Sequence, residues 1–188
     1  SLTENYINDF RQKVISKIIK FVDPNLMHSP YRYVSSYKFN KSKIFDRVVE
    51  HVGDDYVSGK IGHTFIEFSD VTNEEFDGIF YVADFNKRFA SSVYVLPGKS
   101  FSNKLFKSSQ KRDKYQVVLE NPEFEQRYST YCKDQNVARY ILTPTLMENF
   151  VKLSKILESI GYSGVSISFV DKQLNMAVPY HDMLKIDL

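Results

Sequence analysis

The segment Ile79-Phe80-Tyr81-Val82-Ala83 constrains this chain more than any other. Five apolar residues, mostly β-branched or aromatic, run without a polar break between Asp77-Gly78 and Asp84. The run is too short for a buried helix and fits a strand covered on both faces. A sheet covered on both faces needs other elements to lie over it. Two segments of helical period stand ready for that role. Ile7, Phe10, Val14, Ile15, Ile18, Ile19, Phe21 and Val22 fall on one arc over residues 3–22, with Lys13, Lys17 and Lys20 opposite and Asp23-Pro24 as the stop. Thr143-Pro144 opens a second helix with Leu146, Phe150, Leu153, Leu157 and Ile160 on its apolar face, closed by Gly161.

Around these lie shorter period-two runs. Thr64, Ile66 and Phe68 alternate with His63, Phe65 and Glu67, and Asn73-Glu74-Glu75 forms the tip of a hairpin to residues 79–83. Ser92 to Leu96 ends at Pro97-Gly98, and Tyr115 to Leu119 is one more strand. Asn121-Pro122, followed by Glu123 and Glu125, begins a short helix. After Gly161 come three alternating runs at residues 165–169, 174–178 and 184–188, which predict a meander with one wet face. Residues 25–45 are Tyr-rich and irregular and predict an extended connector, with Ser42 capping a short turn. The expected fold is a single α+β domain over residues 1–188. It carries a mixed, largely antiparallel sheet, residues 3–22 as an N-terminal helical arm, and a C-terminal helix leading into the meander.

Composition supports a self-sufficient core. Thirteen Tyr and fifteen Phe among 188 residues supply large apolar area, so metals or disulfides are not required as staples. The one cysteine, Cys132, leaves no partner for an internal disulfide and suits a reducing compartment. A net charge of +2 argues against a nucleic-acid module. No window approaches the ~18–20 apolar residues of a membrane span.

Residue patterns that carry chemistry are few. Cys132 beside Lys133 has no His near it in sequence to serve as base, and reads as an ordinary semi-buried thiol. His63 and Glu67 share a strand face but sit ~13 Å apart, too far for one ion. His51, Asp54 and Asp55 lie close in sequence without a known metal spacing. Gly59-Lys60-Ile61-Gly62 lacks the spacing of a phosphate loop and reads as a tight turn. Asp84, Asn86 and Lys87 sit at a strand end, where polar side chains pin turns or form sites. Residues 99–114 carry Lys99, Lys104, Lys107, Lys111, Arg112 and Lys114 against Asp113, a local charge of +5, and predict a mobile loop suited to anionic surfaces.

Three segments resemble signatures of an uncharacterised family of bacterial proteins of unknown function, to which the label "galanin" is sometimes attached. They are Asp55-Tyr56-Val57-Ser58-Gly59-Lys60-Ile61-Gly62, Tyr81-Val82-Ala83-Asp84-Phe85-Asn86-Lys87, and Leu119-Glu120-Asn121-Pro122-Glu123-Phe124-Glu125. The third continues through Tyr131, Ala138-Arg139-Tyr140-Ile141-Leu142-Thr143-Pro144 and Leu146-Met147-Glu148. Asn121 and Cys132 stand where the family carries Asp and Ser. The resemblance implies a domain that follows one or two membrane spans in full-length relatives and lies on the cytoplasmic side, where the basic loop would meet an anionic surface. It brings no activity, cofactor or catalytic residue. The expected function is a non-catalytic interaction domain whose partner is an unknown protein or an anionic lipid surface. The alternative is an enzyme acting on a small anionic ligand with a pocket near Asp84, Asn86 and Cys132.

Overall fold

The structure, a computed structural model, describes residues 11–85, 87–98, 115–162 and 164–180. One turn of π-helix at Arg11–Ile15 runs into α1 (Ser16–Val22), followed by β1 (Leu26–Ser29), α2 (Ser36–Lys41), β2 (Tyr56–Ile61), β3 (Thr64–Thr72), β4 (Asp77–Asp84), β5 (Val93–Pro97) and β6 (Gln116–Val117). Then come α3 (Pro122–Arg127), β7 (Tyr128–Cys132), α4 (Gln135–Ile141), α5 (Pro144–Ser159), β8 (Ser166–Val170) and β9 (Gln173–Pro179). The nine strands form one sheet in the order β1-β2-β3-β4-β9-β8-β5-β7-β6. Each of its pairings is antiparallel. The fold is α+β, as the patterning predicts.

Local chemistry explains most element ends. Asn121 accepts a hydrogen bond from the Phe124 amide at 3.0 Å and caps α3, with Pro122 at the first helical position. Thr143 does the same for α5, accepting from Leu146 at 3.3 Å ahead of Pro144. The β3–β4 tip is held by Asn73, whose side-chain oxygen accepts from the amides of Glu75 and Phe76. Between β2 and β3 the chain turns on Gly62-His63, with Gly62 at φ +60°, a left-handed conformation in which a side chain is strained.

Helices and loops cover both sheet faces. On one, α3, α4 and α5 press on Val93, Val95, Ile167, Phe169 and Val178. Phe124, Ala138, Leu142, Met147, Phe150 and Val151 come from the helices and their ends. On the other, Val34, Phe39, Ile44 and Val48 cover Val71, Phe80, Val82 and Ala177. A third, smaller cluster of Leu26, Val57, Ile66 and Ala83 takes Ile19 from α1.

Three expectations change. Residues 25–45 are not merely a connector: they hold β1 and α2, and Ser35 caps α2 by accepting from the Lys38 amide. Ser42 ends that helix and caps the turn after it, its buried hydroxyl donating to the Phe39 carbonyl at 2.6 Å and accepting from the Ile44 amide at 3.3 Å. Residues 128–141, where no element beyond Arg127 is expected, form β7 and α4. The wet face expected after α5 is missing in β8, where all five residues are buried. Ser168 faces the α2 side and donates to the Ser42 carbonyl at 2.8 Å, while Asn175 donates to its hydroxyl. Its alternation is real, but the polar face is roofed by another part of the chain. β8 and β9 pair as expected, yet they sit mid-sheet between β5 and β4. Residues 184–188, expected as a third strand, lie outside the described residues.

Candidate binding cleft

The loop from β4 to β5 is fastened to the β8–β9 turn. The Phe85 amide donates to the Lys172 carbonyl and the Phe89 amide to the Asp171 carbonyl, both at 2.7 Å. Arg88 Nε and Lys41 Nζ each lie 3.1 Å from the Asp171 carboxylate. The hydrogen bond from Lys41 leads in holding that carboxyl below its ordinary range, helped by the charges of Arg88, Lys41 and Lys172. With its backbone pinned at two points, the loop presents Phe85 and Phe89 against Phe169 of β8, ring centres 5.5 to 6.5 Å apart.

Across from these rings stand α4 and the start of α5. Asp134 caps α4 by accepting from the Asn136 amide at 2.9 Å. Asn136, Val137, Tyr140 and Ile141 from α4, with Thr143 and Leu146, form the second wall of a cleft of about 650 Å3. Lys87, Arg88 and Ala90 from the loop complete it. Lys87 Nζ donates to the Tyr140 hydroxyl at 3.2 Å and lies 5.3 Å from the ring centre, bridging the two walls. The cleft is therefore apolar within, cationic at its edge, and lined by no carboxylate among the described residues.

Other predicted positions are scattered. Asp84 pairs with Gln173 at the end of β4, whereas Cys132 pairs with Val93 at the end of β7. Three strands separate β4 from β7, which places the two side chains roughly 19 Å apart at ~4.8 Å per strand. Neither the 650 Å3 cleft nor the hollow beside Cys132 is lined by both of them, and Asn86 lies outside the described residues. Cys132 is buried, more deeply than expected, and its Sγ donates to the Asp134 carbonyl. It borders a separate hollow of about 400 Å3 with Lys43, Ser91, Ser92, Tyr94, Tyr115, Tyr131 and Lys133. The basic residues Lys99, Lys104, Lys107, Lys111, Arg112 and Lys114 lie outside the described residues.

The histidines and acids considered for metal binding have other partners. His51 is buried between the rings of Tyr33 and Phe39, its Nε2 donating to the Val34 carbonyl. Glu67 is occupied by Lys38 and Tyr56. His63 sits in the β2–β3 turn. Asp54, Asp55 and Asp70 bring one carboxylate oxygen each within 4.8 Å of the others. Asp55 accepts from His28 at 2.9 Å and Asp70 from the Tyr180 hydroxyl. Burial first, and then the bond to Asp70, push the Tyr180 hydroxyl well above its ordinary pKa.

One arrangement escapes sequence reasoning altogether. Ser16 Oγ lies 2.9 Å from His28 Nδ1, and His28 Nε2 donates to Asp55 at 2.9 Å. Serine, histidine and aspartate in line resemble a hydrolytic relay. Here the His28 ring is fully buried with both nitrogens engaged. Among the described residues, neither the 650 Å3 cleft nor the 400 Å3 hollow is lined by Ser16 or His28. A nucleophile needs a hollow beside it where a substrate can sit. The relay acts as a strap tying α1 through β1 to the loop before β2.

A family model covers residues 74–188, more than half of the chain. It is the family described as "Protein of unknown function (DUF3137)". The chain belongs to that family. The match begins in the β3–β4 tip and takes in every residue that lines the 650 Å3 cleft. Two of the segments that carry the resemblance in sequence, residues 81–87 and 138–148, converge on this cleft from opposite sides. The strap and α1 lie before the matched region. No curated protein and no solved structure matches the chain.

Proposed function

We propose that this DUF3137 domain is a non-catalytic interaction domain that docks on an anionic lipid surface, on the cytoplasmic side of a membrane. The exposed apolar side of α1 carries the reading. α1 buries none of its residues: Phe21 is 91% exposed, Val22 72% and Ile18 55%, and Met27 of β1 is 64% exposed just beyond the turn. A helix that leaves such residues in water while displaying Lys13, Lys17 and Lys20 has the make-up of an interfacial helix. Burying an apolar side chain of this size in an acyl boundary contributes about 1.5–3 kcal/mol when burial is complete. Each lysine near an anionic surface adds about 1 kcal/mol. The basic segment at residues 99–114 supplies further charge for the same surface. No helix among the described residues is long and apolar enough to cross a membrane.

Co-sedimentation with vesicles tests this. Binding to phosphatidylcholine vesicles containing phosphatidylserine, weakening as salt rises, is the expected result. Replacing Ile18 and Phe21 with Ser, or Lys104, Lys107, Lys111 and Arg112 with Gln, should each reduce the bound fraction severalfold. Equal binding to purely zwitterionic vesicles, or binding indifferent to both sets of substitutions, refutes the reading.

A further inference from the structure

We propose that the cleft between the β4–β5 loop and α4 binds a small molecule made of an apolar body and a single carboxylate. Its volume, about 650 Å3, lies within the ~300–1,000 Å3 of pockets that enclose small organic ligands. The interior offers three aromatic rings on one wall, Phe85, Phe89 and Phe169, facing aliphatic Val137, Ile141 and Leu146 on the other. An apolar body is what such walls desolvate most favourably.

The charge pattern selects the ligand's head. Lys87 and Arg88 stand at the edge, and among the described residues no Asp or Glu lines the cleft to compensate them there. Arg88 engages Asp171 through Nε, on the side of the turn, while its guanidinium remains largely exposed. Lys87 rests on Tyr140, a neutral acceptor that a carboxylate outcompetes because a charge-assisted bond is the stronger. A cationic ligand would meet two like charges, and a neutral one would forgo both contacts. The loop that carries these groups is already pinned by Asp171 and Lys172, so little ordering opposes binding. Phe85 and Tyr140 are both well exposed at the mouth, where an occupant would cover them.

Calorimetric titration of the full chain distinguishes the possibilities. Decanoate and 2-naphthoate represent a flexible chain and a flat ring; decanol and decylamine match the first in length but not in charge. At least one acid should bind, and the tighter of the two identifies the body the cleft prefers. Decanol should bind about three- to tenfold more weakly than decanoate, as expected for losing partly exposed charge-assisted contacts, and decylamine more weakly still. Ala90→Trp, at an exposed lining position, should abolish binding while leaving the circular dichroism unchanged. Lys87→Gln combined with Arg88→Gln should bring decanoate down to the affinity of decanol. Phe21→Ser should change nothing, which separates the cleft from adsorption on α1. The proposal is overturned if neither acid binds, if decanol matches decanoate in the parent chain, or if Ala90→Trp binds as before.

Discussion

Helices α1 and α5 have the same pattern of apolar positions and opposite fates. α5 buries Met147, Phe150, Val151 and Ser154 against β5, β8 and the neighbouring helices. α1 offers Ile19 to a small cluster and leaves Ile18, Phe21 and Val22 in water. Periodicity decides that a segment is helical and which side is apolar, but not what that side meets. α5 is anchored by a cap, a proline and the α3–β7 layer beneath it. α1 is held by Ile19 in that cluster and by the buried imidazole of His28. The lesson is that the same apolar pattern can be roofed in one helix and, among the described residues, left exposed in another.

Substitutions can break this contrast. Phe150→Ala should cost about 3–5 kcal/mol of unfolding free energy, because it empties a well-packed site between α5 and Phe169. The urea midpoint reads this directly, and a loss below about 1 kcal/mol would mean that α5 is not the keystone described. Phe21→Ala should move the same midpoint by no more than about 0.5 kcal/mol, since that ring is 91% exposed.

Between those extremes lies the cap at Asn121. Asn121→Ala should cost about 1 kcal/mol through the lost bond to the Phe124 amide, whereas Asn121→Asp should be neutral or slightly stabilising at the positive end of α3. Alkaline titration sharpens the comparison further. Burial is the leading cause that raises the Tyr56, Tyr128 and Tyr180 hydroxyls above their ordinary pKa. A raised folded-state pKa means the folded chain keeps protons that the unfolded chain gives up. The tyrosines' contribution to stability should therefore be fully present below about pH 10 and be lost as pH rises above it. Tyr128→Phe and Tyr180→Phe should each flatten that fall; an unchanged slope in both would contradict the assignment. The smallest effect belongs to the strap: Ser16→Ala should leave the global midpoint nearly unmoved and speed amide hydrogen exchange within α1 alone.

Much of the fold was legible before any coordinates. The caps at Asn121 and Thr143, the Asn73 tip and the doubly covered strand at residues 79–83 follow from side-chain chemistry acting within a few residues. β7 and α4 were not legible. Tyr128, Thr130 and Cys132 do alternate inward, but Ser129 and Tyr131 between them, directly after a helix, hide the period. In sequence the serines of β8 imply a wet face, because polarity implies water until something else accepts the hydrogen bond, and the Ser42 carbonyl, 126 residues away, does so.

The cleft was least legible of all. Its signal was present as Phe85 and Phe89 interleaved with Lys87 and Arg88, apolar and cationic residues in one short loop. Nothing local tells such a loop from a solvated one. Only the opposite wall, about fifty residues further on, turns it into a concavity.

By itself, then, the order of residues determined the class of fold, the ends of the best-capped helices, the hairpin and the absence of a disulfide pair. Those properties depend on neighbours in the chain, where the cost of bringing groups together is small. The tertiary structure alone decided which apolar faces are covered, that Asp84 and Cys132 stand far apart, that His28 joins Ser16 to Asp55, and where the cleft opens. Each of these requires residues distant in sequence to be held together by packing over the whole sheet, and that packing is not a property of any one segment.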